Sequence, residues 1–224
     1  MAPNKFLATH KNEISLLFVS SAICMILLFF RIIYSGSDKY IFLVWNLFLA
    51  GIPLAISYFA SARFSVRKRK FMLLLTSIIW LLFFPNAPYI LTDLFHLHYP
   101  SNVPKWYDLV LILSFAWTGL LFGFISLWNL EKLFHNYFSK RITPYLSTLI
   151  LFISSFGVYI GRYLRWNSWD IIVEPFHHFK HISDQVFHPM HYPQAWGMTV
   201  FLGILLNLLY WSLKLIRLEK STQL

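Results

Sequence analysis

Six apolar stretches, each about twenty residues long, constrain this chain more than any other feature. They lie near residues 14–33, 40–60, 71–97, 107–130, 145–164 and 195–215. A helix needs roughly twenty residues to cross about 30 Å of hydrocarbon. Inside hydrocarbon each backbone N–H and C=O must be satisfied within the protein, and a helix does this within one segment. Composition agrees, with 58% hydrophobic and 12% charged residues, where a soluble domain has about 45–50% and 25%. The expected fold is all-α: an integral membrane bundle of six transmembrane helices forming a single domain over residues 1–224.

Charge sets the expected orientation. Counted on alternating sides of the six stretches, Lys and Arg number thirteen on the side of the two termini and six on the other. The positive-inside rule then places both termini in the cytoplasm and the chain in the cell membrane. The net charge of +10 reports topology and anionic headgroups rather than nucleic acid. Seven of the nine histidines fall on the opposite, outer side, so any chemistry is expected there. Cys24 is the only cysteine, which excludes an internal disulfide and a thiolate metal site. No small-x-small cleavage site follows the first apolar run, so the first helix is read as uncleaved. Soluble-enzyme signatures are missing: there is no glycine-rich phosphate loop, nucleophile elbow or His-Glu-x-x-His pair.

The third stretch is broken by Pro85-Asn86-Ala87-Pro88-Tyr89. Each proline removes a backbone donor and disturbs the turn before it. Counting from Phe71 at 1.5 Å per residue puts Asn86 about 22 Å along and Asp93 about 33 Å, at the outer interface. Asn86 is expected to cap a restarted helix with Pro88 in its first turn. At 100° per residue, Asn86, Tyr89, Thr92, Asp93 and His96 share one arc. That arc must face the bundle interior or a wet funnel. Two readings follow: a kinked helix whose polar groups satisfy freed backbone, or a polar site built on the break.

In the fifth stretch Arg162 and Arg165 share a face with Ser155 and Tyr159. An arginine near the hydrocarbon edge requires an anion. Asp93 and Asp170 are candidate partners in an ion pair that would tie helix three to helix five. Two arginines one turn apart also suit the phosphate or carboxylate of an anionic substrate or lipid headgroup. On that reading Asn86, Tyr89, Arg162, Arg165 and Asp170 form the substrate-binding set.

An outer-face amphipathic helix is expected near 169–188. Glu174, His177, His181, Asp184 and His188 follow steps of three and four, opposite Phe176, Phe179, Ile182 and Val186. The titratable stripe is either the wet face of an interfacial helix or part of a divalent-metal site. In the metal reading Asp93, His96, Glu174, His177 and His181 supply the donors, a set suited to zinc, manganese or non-haem iron. Gly119 and Gly123 give a small-xxx-small spacing for close packing, and Asp108 suits the dipole at a helix N-terminus.

The stretches Phe84-Pro85-Asn86-Ala87-Pro88-Tyr89 with Thr92-Asp93, Trp106-Tyr107-Asp108, and Gly161-Arg162 through Arg165-Trp166-Asn167-Ser168-Trp169-Asp170 carry a resemblance. They resemble an uncharacterised family of bacterial multi-pass membrane proteins, domain-of-unknown-function family 1361. The resemblance implies a bacterial cytoplasmic-membrane protein. It supplies no substrate, cofactor or catalytic residue, and the histidine stripe lies outside its pattern.

Three functions fit these readings. One is a membrane-embedded enzyme acting at the outer face on an anionic or lipid-linked substrate, with Asp93 and His96 as catalytic groups. The second is a transporter or channel lined by the broken helix. The third is a membrane scaffold that docks a protein partner.

Overall fold

The computed structural model describes residues 3–63, 70–98, 102–139, 141–166 and 182–222. Asp170, Glu174, His177 and His181 lie outside the described residues. Six helices are long and apolar enough to cross a membrane: His10–Ser35, Phe42–Arg63, Phe71–His98, Lys105–Phe134, Ile142–Leu164 and Pro193–Arg217. Among the described residues there is no strand. The chain divides into two compact units, Met1–Ser139 and Lys140–Leu224.

In the first unit, α1 (Pro3–Ser35) turns through Gly36, whose φ of +63° favours glycine. The chain returns as α2 (Phe42–Arg63). Then come α3 (Lys70–Phe83), one turn of α4 (Asn86–Tyr89), a 3₁₀ helix over Ile90–His98, and α5 (Lys105–Phe134). α5 is the central post: 67% of its apolar window is buried, against 22–33% for the other three spans of this unit. One core cluster joins Cys24 and Leu28 of α1, Leu43 and Leu47 of α2, Ala87 and Ile90 of the break, and Leu111 and Phe115 of α5.

The glycine spacing on α5 seats the proline break. A Cβ on Gly119 would meet Ile90 Cδ1 at 2.8 Å and the Ala87 carbonyl at 3.0 Å. A Cβ on Gly123 would meet Ala87 Cβ at 2.8 Å. The small-xxx-small device therefore admits the backbone of the broken segment, with Ala87 between the two prolines as its counterpart.

In the second unit, α6 (Ile142–Tyr159) continues as a π-helical turn, Ile160–Leu164, and ends at Arg165 in the left-handed region, φ 57°. A short helix occupies 182–187 and is all of the expected amphipathic helix that the described residues include. α7 (Pro193–Thr222) packs along α6. Trp211 Nε1 donates to Thr148 Oγ1 at 3.2 Å, and Tyr159, Ile160 and Ala195 form a cluster at the other end.

Candidate functional site

The candidate site is a buried polar layer at the end of the first unit that carries the α1–α2 turn. It begins with the geometry of the break. The α-helical restart lasts one turn, Asn86–Tyr89, and then tightens to 3₁₀ over Ile90–His98. In a 3₁₀ helix residues three apart eclipse one another. Ile90, Asp93 and His96 therefore share one edge, while Thr92 falls on a different one. The single polar arc expected from 100° steps splits in two.

Asn86 plays a different part from the one its sequence position suggests. The residue before α4 is Pro85, with no side-chain cap. Asn86 Nδ2 instead donates backward to the Phe83 carbonyl at 2.8 Å, closing the end of α3. The prolines remove donors, so the unmet groups at the break are carbonyls, and an amide N–H answers a carbonyl where a capping oxygen cannot. Thr92 likewise donates back to the Tyr89 carbonyl at 2.7 Å.

Asp93 is 1% exposed. Asn46 Nδ2 of α2 donates to its Oδ2 at 2.8 Å. One 3₁₀ turn further on, the His96 ring stands edge-on to Phe42 at 5.0 Å between centroids. Phe42 and Asn46 are one α-turn apart on α2, so two short rows pair in antiparallel order. Tyr40 extends the row by donating its hydroxyl to the His96 carbonyl at 3.4 Å.

Beside this row lies an ion pair that reading the sequence missed. Arg31 Nε donates to Asp108 Oδ1 at 3.0 Å, and both side chains are at most 3% exposed. Arg31 Nη1 reaches the Ser37 carbonyl at 3.1 Å, and its guanidinium covers the Tyr40 ring at 4.5 Å. Asp108 was expected only to complement a helix dipole; it is the counter-charge that lets Arg31 enter the unit. Tyr107 adds a second tie, donating to the Leu27 carbonyl at 2.8 Å. Burial, then the Asp108 carboxylate, push the Tyr40 phenol up to about 12, against the pull of Arg31. The only cue in sequence was an arginine late in an apolar run with an aspartate early in another, and their separation of 77 residues gives no periodic signal.

Arg162 is half-buried on the π turn and Arg165 is exposed at its end. Both belong to the second unit, whereas Asn86, Tyr89, Asp93 and His96 belong to the first. Asp184 binds Tyr192 and His188 within the second unit. Tyr192 donates to its Oδ2 at 2.6 Å, and His188 Nδ1 lies 2.9 Å from its Oδ1. The bond to Asp184 raises the Tyr192 phenol. Among the described residues no group of three or more His, Cys, Asp or Glu is placed to hold a metal ion. Of the five residues read as metal donors, only Asp93 and His96 are described.

The six apolar helices and their buried polar ties define a multi-pass membrane protein. The chain belongs to the family described as Protein of unknown function (DUF1361), whose model matches residues 45–209. That span runs from α2 into α7 and contains the proline break, the 3₁₀ edge and the Arg162 turn. No curated protein and no solved structure matches the chain.

Proposed function

We propose that the polar layer of the first unit faces outward from the cytoplasmic membrane, with both termini in the cytoplasm, and acts on the headgroup of an anionic or lipid-linked substrate. The thirteen-to-six bias in Lys and Arg supports the orientation. The observation that carries the chemistry is the shared 3₁₀ edge of Asp93 and His96, at about 2 Å rise per residue. A headgroup entering from the turn end meets His96 first and Asp93 about 6 Å deeper. Asn46 engages one carboxylate oxygen of Asp93, which fixes its orientation for a role as base. Arg162 and Arg165 give the second unit an anion-binding element of its own.

The test compares Asp93→Asn with the native chain in membranes of a host lacking it. The substitution leaves a carbonyl to accept from Asn46. Mass spectrometry of total lipids and lipid-linked intermediates is expected to show a species altered by the native chain and unaltered by the variant, at equal accumulation. A variant that alters the same species sinks the catalytic role. A variant that fails to accumulate makes Asp93 structural.

A further inference from the structure

A groove of about 450 Å³ runs along the first unit between α1 and α2, and it is apolar throughout. Met25 forms the α1 wall, Val44, Phe48, Gly51 and Ala55 the α2 wall, and Phe122 of α5 the floor. At 100° per residue the α2 residues point to one side of that helix, and Asn46 points to the other. The groove therefore stands apart from the Asp93 layer and does not depend on the function proposed for it.

Its length and its surroundings choose its occupant. Val44 to Ala55 is eleven helical steps, about 16 Å of helix. Half of a hydrocarbon core of about 30 Å is about 15 Å. The groove thus starts two residues inside α2 and ends near the midplane, the reach of one acyl chain in one leaflet. The groove also lies wholly within a membrane-crossing segment, so hydrocarbon is the medium at its mouth.

We propose that this groove is a binding site for one acyl chain of a bilayer phospholipid, in the leaflet on the side of the α1–α2 turn. Gly51 makes the room. A Cβ there would lie 3.6 Å from Phe122, an ordinary contact. Alanine is accommodated, and a longer side chain projects into the space that the acyl chain uses.

The full chain is reconstituted in vesicles of phosphatidylglycerol and phosphatidylethanolamine, extracted in mild detergent and weighed by native mass spectrometry. The native chain and Gly51→Ala are expected to retain one phospholipid. Gly51→Leu, and Ala55→Leu at the inner end of the groove, are expected to lose it at least tenfold. A mapping experiment needs no variant: phospholipid with a photoreactive acyl chain should label Met25, Phe48 and Phe122 above exposed positions elsewhere, such as Leu74 and Phe201. Labelling spread evenly over those positions overturns the site, as does retention unchanged by Gly51→Leu. A native chain that carries a second copy of itself in place of lipid, released by Gly51→Leu, also overturns it.

Discussion

Removing Arg31 or Asp108 singly should destabilise the protein severely, while removing both together should not. The pair is buried on both sides with a 3.0 Å bond. Deleting one partner of such a pair leaves an uncompensated charge and costs about 3–5 kcal/mol. Arg31→Met also forfeits the Tyr40 stacking, worth about 0.5–2 kcal/mol, so it should be the worse of the two. Asp108→Leu keeps the guanidinium on Tyr40 and on the Ser37 carbonyl but strands its charge. Replacing both by apolar residues of similar volume is neutral, or stabilising by about 1–4 kcal/mol. In a chain of this length 1 kcal/mol moves the melting temperature by about 2–4 °C. Asp108→Leu should therefore melt roughly 6–20 °C below the native protein in detergent, Arg31→Met a few degrees lower still, and the double variant close to the native protein. If the double variant melts as low as the worse single variant, or lower, the two residues are not energetically coupled. The ion pair then does not hold this end of the unit together.

Other outcomes follow from the same packing. Gly119→Ala and Gly123→Ala each force a carbon against the break and should cost about 1–3 kcal/mol, whereas Gly51→Ala, with 3.6 Å of clearance, should melt like the native protein. The Tyr40 phenol, raised from 10 to about 12 in the folded state, contributes stability that is complete below pH 10. Between pH 10 and about 12 the unfolded phenol loses its proton first, so stability falls as pH rises. Denaturation midpoints across that range should drop further for the native chain than for Tyr40→Phe.

The spans were legible because apolar length alone decides them, and the break because proline removes donors wherever it stands. Gly119 and Gly123 were legible as a contact face, but their partner, Ala87, is fixed only by how α5 meets the break. The 3₁₀ continuation was not legible. Ile90 to His98 reads equally well at 100° or 120° per residue, and the segment takes the tighter turn where it packs, chiefly against α5. That choice divided the polar arc and left Asp93 and His96 on one edge. Arg31 and Asp108 were each visible, but Arg31 entered only the charge count and Asp108 only a helix-dipole role, because periodicity reports faces of one helix and never which distant helix lies opposite. Asn86 shows the same limit at short range: the residue type announces a cap, and only the surrounding geometry says that it caps the end of α3 rather than the start of α4.

A transport role for the first unit can be weighed on the polar groups that it buries. α1 begins earlier than the apolar run suggests, which draws His10 and Glu13 into the helix, with His10 Nδ1 and Glu13 Oε2 2.8 Å apart. Asn129 donates to Ser57 at 3.4 Å, and the Trp80 indole to Ser126 at 3.2 Å. Polar groups therefore stand at both ends of α5, and Asp108 and Asn129 lie about 32 Å apart along it. Between them, among the described residues, Leu111, Ile112, Phe115, Leu121 and Ile125 are all buried. Thr118 interrupts this layer, but its hydroxyl donates to the Ser114 carbonyl at 2.8 Å and lies 3.3 Å from Cys24 Sγ. From Asp108 to Ser114, whose hydroxyl is held by the Val110 carbonyl, is about 9 Å, from Ser114 to Thr118 about 6 Å, and from Thr118 to Ser126 about 12 Å. A hydrogen-bonded relay needs a partner roughly every 3 Å. A bare charge at the centre of the bilayer costs at least about 2.5–3.5 kcal/mol. Among the described residues, α5 thus offers no hydrogen-bonded relay between its two polar ends. Proteoliposomes containing the chain should pass protons no faster than empty vesicles across an imposed pH gradient, and Thr118→Val should change nothing. Proton flux that requires Thr118 would show a relay along α5 and favour the transporter reading.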